Sequence, residues 1–177
     1  MDDFSITQNG KPLYKSQYII DLKNKVFLST QYSLVLDFGQ LSDWKFKVSS
    51  GCTFKTGNDC TFDTGGGCTF KTGCGCTFTT KGDCMFRTGA ECTFITSFGC
   101  IFKTGMQCTF TTTNNCTFNT ANHCTFKTDY GCTFVLWDIN TCKFEKYDGY
   151  SIILDRKDTE AYKLTKEFIA LQKIKNN

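Results

Sequence analysis

An eight-residue period runs through the middle of this chain and constrains its fold more than any other feature. Cysteine recurs at every eighth position from 52 to 132, and a further one follows after a two-residue insertion near 137–140. Phenylalanine stands two residues after each, so the unit is C-T-F-x-T-G-x-x. The paired positions are Cys52, Phe54, Cys60, Phe62, Cys68, Phe70, Cys76, Phe78, Cys84, Phe86, Cys92, Phe94, Cys100, Phe102, Cys108, Phe110, Cys116, Phe118, Cys124, Phe126, Cys132, Phe134, Cys142 and Phe144. A fixed period of this kind is typical of repeat proteins, in which each unit buries its apolar face against its neighbours.

The alternation within each unit predicts a short β-strand. Cys52, Phe54 and Thr56 point to one side of such a strand, and Thr53 and Lys55 point to the other. The side that carries phenylalanine must be buried. The three residues that follow, such as 57–59, are turn residues, among which glycine and asparagine tolerate positive φ. The sequence therefore predicts an all-β fold, a single-chain, right-handed β-solenoid of short strands joined by three-residue corners.

A weaker second period sets the number of units in each coil. Glycine follows the inner threonine in alternate units, at Gly57, Gly73, Gly89 and Gly105, whereas only Gly65 does so among the units between them. The outward apolar residues Met85 and Ile101 are also sixteen positions apart. We therefore expect a two-sided coil of sixteen residues, with phenylalanine facing phenylalanine and each cysteine facing an inner threonine. About seven such coils would make a rod roughly 30–35 Å long. A triangular coil of twenty-four residues is the alternative.

The two ends of the chain lack the cysteine repeat. The frame continues upstream of Cys52 as Trp44/Phe46 and Leu36/Phe38. We expect residues 1–43 to form an N-terminal cap of strands, 44–149 the octapeptide-repeat solenoid, and 150–177 a C-terminal cap with an α-helix. The helix is predicted over 158–175 because apolar residues recur at helical spacing, at Leu164, Phe168, Leu171 and Ile174. It would cover the open edge of the last coil or, alternatively, dock a partner.

Thirteen cysteines admit three interpretations. Disulfides between neighbouring coils would have the right Cα separation, but their Cβ vectors would be parallel instead of convergent. Metal binding lacks the close Cys/His spacing of known sites, apart from Cys74-Gly-Cys76, and His123 is the one histidine. The preferred interpretation is reduced cysteine acting as a small buried apolar residue, which implies a reducing, intracellular place of synthesis. Cys74 stands at a corner and is expected to be exposed.

Two outward-facing sets of residues are candidate binding surfaces. A cation column is predicted on one face, from side chains spaced about 4.8 Å apart, at Lys55, Lys71, Arg87 and Lys103. Like charges so close repel, so the column suggests an anionic partner such as a nucleic acid, an anionic polymer or an acidic protein surface. The opposite face is expected to be rich in threonine, at Thr77, Thr79, Thr93, Thr109 and Thr111. Solvated lysines and the ordinary β-propensity of threonine are the plainer explanations of the two sets.

Composition and motifs exclude several classes of protein. Charged residues make up 21% of the chain and its net charge is +3, which is typical neither of a disordered polyelectrolyte nor of a strongly basic nucleic-acid module. No apolar run of about 18 residues predicts a membrane span, and the N-terminal residues lack the pattern of a secretory signal. No pair of carboxylates has the spacing of a general acid and base. We expect no enzyme activity, no cofactor and no small-molecule substrate.

The C-x-F core, as in Cys60-Thr61-Phe62, resembles that of the pentapeptide-repeat β-helices, with three corner residues added. The full unit is similar to the octapeptide C-T-F-x-T-G repeat proteins predicted in large DNA viruses and bacteriophages, over residues 44–147. In repeat length it also resembles the triple-stranded β-helices of phage needle proteins, although three identical chains would not need a sixteen-residue subperiod. The Thr-x-Thr ranks resemble those of insect-type antifreeze β-solenoids.

These observations predict a non-enzymatic structural or interaction protein that presents rigid flat β-faces. The resemblance implies a viral or phage origin, in the virion or the cytoplasm of the infected cell. A protein partner or self-assembly is expected, and nucleic acid is the less supported partner. The two alternative functions are a binding module for an anionic polymer or protein, through the cation column, and an ice-binding solenoid, through the threonine face.

Overall fold

The chain is an all-β solenoid in the computed structural model, which describes residues 4–146, 148 and 150–156. Its strands alternate between two sheets, called here the first sheet and the second sheet. The first sheet contains Ser5–Gln8 (β1), Lys11–Pro12 (β2), Leu34–Asp37 (β5), Thr53–Lys55 (β7), Thr69–Lys71 (β9), Met85–Arg87 (β11), Ile101–Lys103 (β13), Thr117–Thr120 (β15), Thr133–Leu136 (β17) and Ile152–Asp155 (β19). The second sheet contains Ile19–Asp21 (β3), Val26–Leu28 (β4), Lys45–Val48 (β6), Thr61–Thr64 (β8), Thr77–Thr80 (β10), Thr93–Ile95 (β12), Thr109–Thr111 (β14), Thr125–Lys127 (β16) and Lys143–Lys146 (β18).

Each coil contains sixteen residues and has two sides, as predicted from the second period. Phe86 pairs in parallel with Phe70 on one side and with Phe102 on the other, and each is sixteen residues away. From β4 to β17, every strand pairs in parallel with the strand two further along the chain, which gives eight parallel strands in each sheet. The solenoid therefore has eight coils where the sequence predicted about seven. The triangular coil of twenty-four residues is wrong.

Phenylalanine rings form a continuous spine between the two sheets. Along each sheet the rings are stacked: those of Phe70 and Phe86 have centroids 4.9 Å apart and planes 3° apart. Across the core, the rings of Phe78 and Phe86 meet edge to face at 5.2 Å and 74°. Both arrangements are favourable for aromatic quadrupoles. Because the rings from Phe54 to Phe134 are fully enclosed, removing one of them would cost about 3–5 kcal/mol of unfolding free energy.

Cysteine and threonine fill the space on either side of the spine. The Thr56 side chain contacts the Cys60 thiol, and Thr64 contacts Cys68, so each cysteine faces an inner threonine of the opposite sheet as expected. The inner hydroxyls also donate to corner carbonyls, for example from Thr64 Oγ1 to the Gly65 oxygen at 3.1 Å. Small side chains beside a large central ring thus fill a narrow two-sheet sandwich.

The corners bend at their last residue, which immediately precedes the next cysteine. This residue has positive φ throughout the repeats, whether or not it is glycine, at Gly51, Asp59, Gly67, Gly75, Asp83, Glu91, Gly99, Gln107, Asn115, His123 and Gly131. The glycines at the start of a corner, expected to allow positive φ, do not adopt it. They permit close approach instead: a Cβ added to Gly57 would lie 2.3 Å from the carbonyl oxygen of Gln40 in the preceding coil.

The first strands of the chain end the two sheets. β1 pairs with β5 and β3 pairs with β4, both antiparallel, and the Phe4 ring stacks on Phe38 at 4.8 Å. The predicted register of Trp44/Phe46 is correct, since Phe46 pairs with Phe62. That of Leu36/Phe38 is wrong by two residues, because Leu36 is the residue that pairs with Phe54. Two additional residues between β5 and β6 produce this offset.

The insertion near residue 140 forms a short 3-10 turn at Ile139–Thr141, with Ile139 buried. The chain then completes its last coil with β18 and β19. The helix predicted over 158–175 lies outside the described residues. Within the part of the chain that the structure describes, no helix is long and apolar enough to cross a membrane.

Candidate functional site: the outer faces of the two sheets

The cation column is assembled on the first sheet as the sequence predicted. Lys55, Lys71, Arg87 and Lys103 stand opposite one another on consecutive strands β7, β9, β11 and β13. All four side chains are exposed. They project outward because Phe and Cys occupy the alternate positions that face the core.

The column is neutralised at one end only. Lys55 Nζ lies 3.1 Å from Asp37 Oδ2 on strand β5. The backbone N–H of Gly39 donates to Asp37, and this bond and the Lys55 ion pair hold the pKa of the Asp37 carboxyl below its ordinary value. For the other three cations, no carboxylate of the described residues lies within ion-pair distance. Positive charge therefore concentrates on Lys71, Arg87 and Lys103.

A further cation extends this column beyond Lys103. Asn119 occupies the next position on strand β15, and its Oδ1 accepts a hydrogen bond from Arg156 Nη2 at 2.7 Å. Arg156 lies 37 residues from Asn119 in the chain, outside the repeat. Sequence analysis missed it because nothing in the eight-residue pattern connects the two positions.

The threonine face is present on the second sheet, with an interruption. Thr77, Thr93 and Thr109 form an unbroken rank on strands β10, β12 and β14. In the second rank Ile95 stands between Thr79 and Thr111. That rank is bounded by Asp63 at one end and Lys127 at the other. The first rank continues to Thr61 and Thr125, so it is the second rank that limits the regular area.

The buried cysteines form one column along each sheet, and their thiols are shielded from solvent. Contact with the Cys108 thiol, with a further increase from burial, raises the pKa of Cys92 to about 11. The thiols donate weak hydrogen bonds to corner carbonyls, as Cys92 Sγ does to the Ala90 oxygen at 3.4 Å. A thiol with a raised pKa and no exposure is a poor nucleophile.

The corners carry Cys74 and His123, whose side chains could take part in chemistry as nucleophile or base. Cys74 is exposed, and its sulfur accepts a hydrogen bond from the Ala90 N–H at 3.3 Å. His123 is exposed at a corner with a φ of 59°. In the described part of the chain, no three histidine, cysteine, aspartate or glutamate residues are grouped so that they could hold a metal ion.

Chemically, these surfaces offer charge, hydrogen-bonding hydroxyls and flat shape. Comparison with protein-family models, with curated proteins and with solved structures finds no match to this chain.

Proposed function

We propose that this chain is a non-enzymatic, rigid interaction scaffold that works through the flat outer faces of its solenoid. The observation that carries the proposal is the unbroken spine of enclosed rings, each stacked at about 4.9 Å on the ring of the next coil. Such a core fixes the outward side chains in straight columns. Turnover of a substrate by the purified protein in broad hydrolase and transferase screens would contradict the proposal.

A second candidate function is the binding of an anionic polymer or acidic protein surface by the cation column. It is supported by three exposed cations in register, Lys71, Arg87 and Lys103, that have no acidic partner among the described residues. Cations aligned at the spacing of a sheet repel one another, and an anion relieves that repulsion. Ice binding by the threonine face is the weaker candidate function, because Ile95 interrupts the second rank of threonines.

The cation column is tested with two variants that lose the same number of positive charges, one from the column and the other from elsewhere on the surface. The test variant replaces Lys55, Lys71, Arg87 and Lys103 with glutamine. The matched control makes the same change at four exposed lysines off the column, Lys11, Lys23, Lys45 and Lys81. Binding of fluorescent polyglutamate and of a thirty-residue oligothymidylate is measured by anisotropy against salt concentration.

We expect the parent to bind a polyanion and the control to retain most of that binding. The test variant should lose it, and the slope of log K against log salt for the oligonucleotide should fall by about 2, since the three unpaired cations each contribute about 0.7 to binding of a single strand. Equal losses in both variants would mean that only net charge matters and would end this candidate. It would leave the scaffold proposal standing.

The origin and compartment of the chain are also part of this proposal. Similarity of the repeat to the octapeptide proteins predicted in large DNA viruses and phages supports a viral or phage gene. The two columns of buried, unpaired thiols support folding in a reducing compartment. Viral structural or replication genes beside the coding sequence would support this origin, and a cellular operon would contradict it.

A further inference from the structure

The middle of the first sheet carries apolar residues where the repeat has no need of them. The outward position before each phenylalanine of this sheet is threonine at 53, 69, 117 and 133, but Met85 and Ile101 occupy it on the adjacent strands β11 and β13. Met85 is 51% exposed and Ile101 is 47% exposed. Neither side chain contributes to the core, so the fold does not account for them.

Phe98 enlarges this surface at the neighbouring corner. It is 51% exposed, whereas the corner residues in the same place one and two coils earlier are Gly82 and Gly66. Its ring lies over Gly82, since a Cβ added to that glycine would be 3.2 Å from Phe98 Cζ. Gly82 is three residues before Met85. Met85, Phe98 and Ile101 are called here the apolar patch.

Two unpaired cations border the apolar patch. Arg87 and Lys103 follow Met85 and Ile101 by two residues on the same strands, so they lie on the same outer face. A ligand that covers the patch therefore also meets two positive charges. Exposed apolar residues rimmed by charge are typical of protein interaction sites.

A second copy of this chain does not complement the patch. In a face-to-face dimer with its twofold axis along the solenoid, the cations of one copy would meet no carboxylate from β11 or β13 of the other, because the outward residues of these strands are Met85, Arg87, Ile101 and Lys103. With the axis across the solenoid in the plane of the sheet, cations would oppose cations. An isologous dimer through this face is disfavoured in both arrangements.

We propose, on the basis of the interaction function above, that the patch binds an acidic segment of another protein. Apolar side chains of that segment cover Met85, Phe98 and Ile101, and its carboxylates pair with Arg87 and Lys103. Nucleic acid would supply the negative charge but no aliphatic groups for Met85 and Ile101. The combination of the two chemistries thus favours protein.

Two peptides of equal charge separate the apolar from the ionic contribution. The probe is three Leu-Ser-Glu-Ser units, which in extended form place leucine and glutamate on the same face. The comparison peptide is three Ser-Ser-Glu-Ser units. A twelve-residue oligothymidylate is the nucleic-acid probe. Affinities are measured by fluorescence anisotropy at low salt.

Three variants identify the residues responsible. Met85→Thr/Ile101→Thr restores the repeat residue at both positions and is expected to fold normally. Arg87→Gln/Lys103→Gln removes the bordering charges. Val35→Thr is the matched control, because Val35 is an exposed apolar residue of the same outward column, three strands away from Met85. Unchanged thermal unfolding of each variant establishes that it is folded.

We expect the parent and Val35→Thr to bind the leucine peptide about tenfold more tightly than the serine peptide, because two or three apolar contacts are buried. Met85→Thr/Ile101→Thr, which retains Phe98, should lose most of that preference, and Arg87→Gln/Lys103→Gln should bind both peptides more weakly. Equal affinity of the parent for the two peptides, or tighter binding of the oligothymidylate, would overturn the apolar inference while leaving the cation column as an anion site. No binding of any probe would overturn both.

Discussion

Gly57 illustrates how a single residue is constrained by the coil beside it. Its own φ is not positive, yet a Cβ at this position would meet the Gln40 carbonyl oxygen at 2.3 Å and the Gln40 carbonyl carbon at 2.8 Å. The corner backbones approach closely because Gly73 N–H donates to the Gly57 oxygen at 3.0 Å, and Gly89 donates to Gly73 in the same way. A glycine is needed for space here, and positive φ is supplied by a different residue of the corner.

Replacement of Gly57 by alanine is predicted to lower the free energy of unfolding by about 1–3 kcal/mol, the range for overpacking in a tight structure. The matched control is Ser97→Ala at the first position of an opposite corner, where a Cβ is already accommodated. Urea unfolding of both variants measures the difference. If Gly57→Ala and Ser97→Ala are equally stable, close approach is not the reason for the glycine.

The sequence alone does not explain why these corner positions require glycine. Their recurrence at every second unit is visible in the chain and correctly indicated a sixteen-residue coil. The distance from Gly57 to Gln40 depends on how adjacent corners stack, and no local pattern reports it. In contrast, the residue that takes positive φ varies from Gly75 to Glu91 and His123, so residue type alone did not identify it.

Among the elements, the strands of the repeat were predictable because cysteine and phenylalanine mark their register. The columns of Lys71, Arg87 and Lys103 follow directly from that register. Outside the repeat, the markers are lost. Leu36 pairs with Phe54 across eighteen positions instead of sixteen, and Arg156 joins the cation column through a contact with Asn119. The first depends on an inserted pair of residues and the second on a contact between distant parts of the chain, and neither is visible in the eight-residue period.

The thiol column beside the second sheet makes the stability of the protein dependent on pH. The pKa of Cys108 is raised to about 11 from an ordinary value of 9.0, first by the Cys124 thiol and then by burial, and Cys92 is raised to about 11 as well. The unfolded chain releases these protons at lower pH than the folded chain does. Their contribution to stability is therefore complete below pH 9 and is lost as pH rises through 11.

In reducing buffer, the urea midpoint of unfolding should stay level up to about pH 8 and decline above pH 9. Lysine and tyrosine also titrate in this range, so the parent is compared with Cys92→Ala/Cys108→Ala. The decline should be shallower in the double variant. A decline of the same depth in both proteins would show that the two thiols do not contribute to it.

At the scale of the whole molecule, the solenoid is a rod whose length grows with the number of coils. Eight coils at about 4.8 Å give a stack of roughly 38 Å. Each coil contacts only its neighbours, so stability is approximately a sum over coils and the interfaces between them. The apolar patch and the unpaired cations lie on the middle coils, where the side-chain columns on either side hold them in place.

Internal deletions test the sixteen-residue, two-sided coil most directly. Removal of residues 81–96 takes out one coil and leaves every downstream strand in its own sheet. Removal of 81–104 takes out one and a half coils and transfers each downstream strand to the opposite sheet. It would also stack corners with different requirements, such as those of Gly57 and Ser97, against one another. Removal of 81–112 takes out two coils and restores the original sheets.

The three proteins are compared by urea unfolding. We predict that the thirty-two-residue deletion is more stable than the twenty-four-residue deletion although it removes more of the chain, and that the sixteen-residue deletion is the most stable of the three. A cooperative, stable protein from the twenty-four-residue deletion, together with loss of folding in the other two, would contradict the two-sided coil.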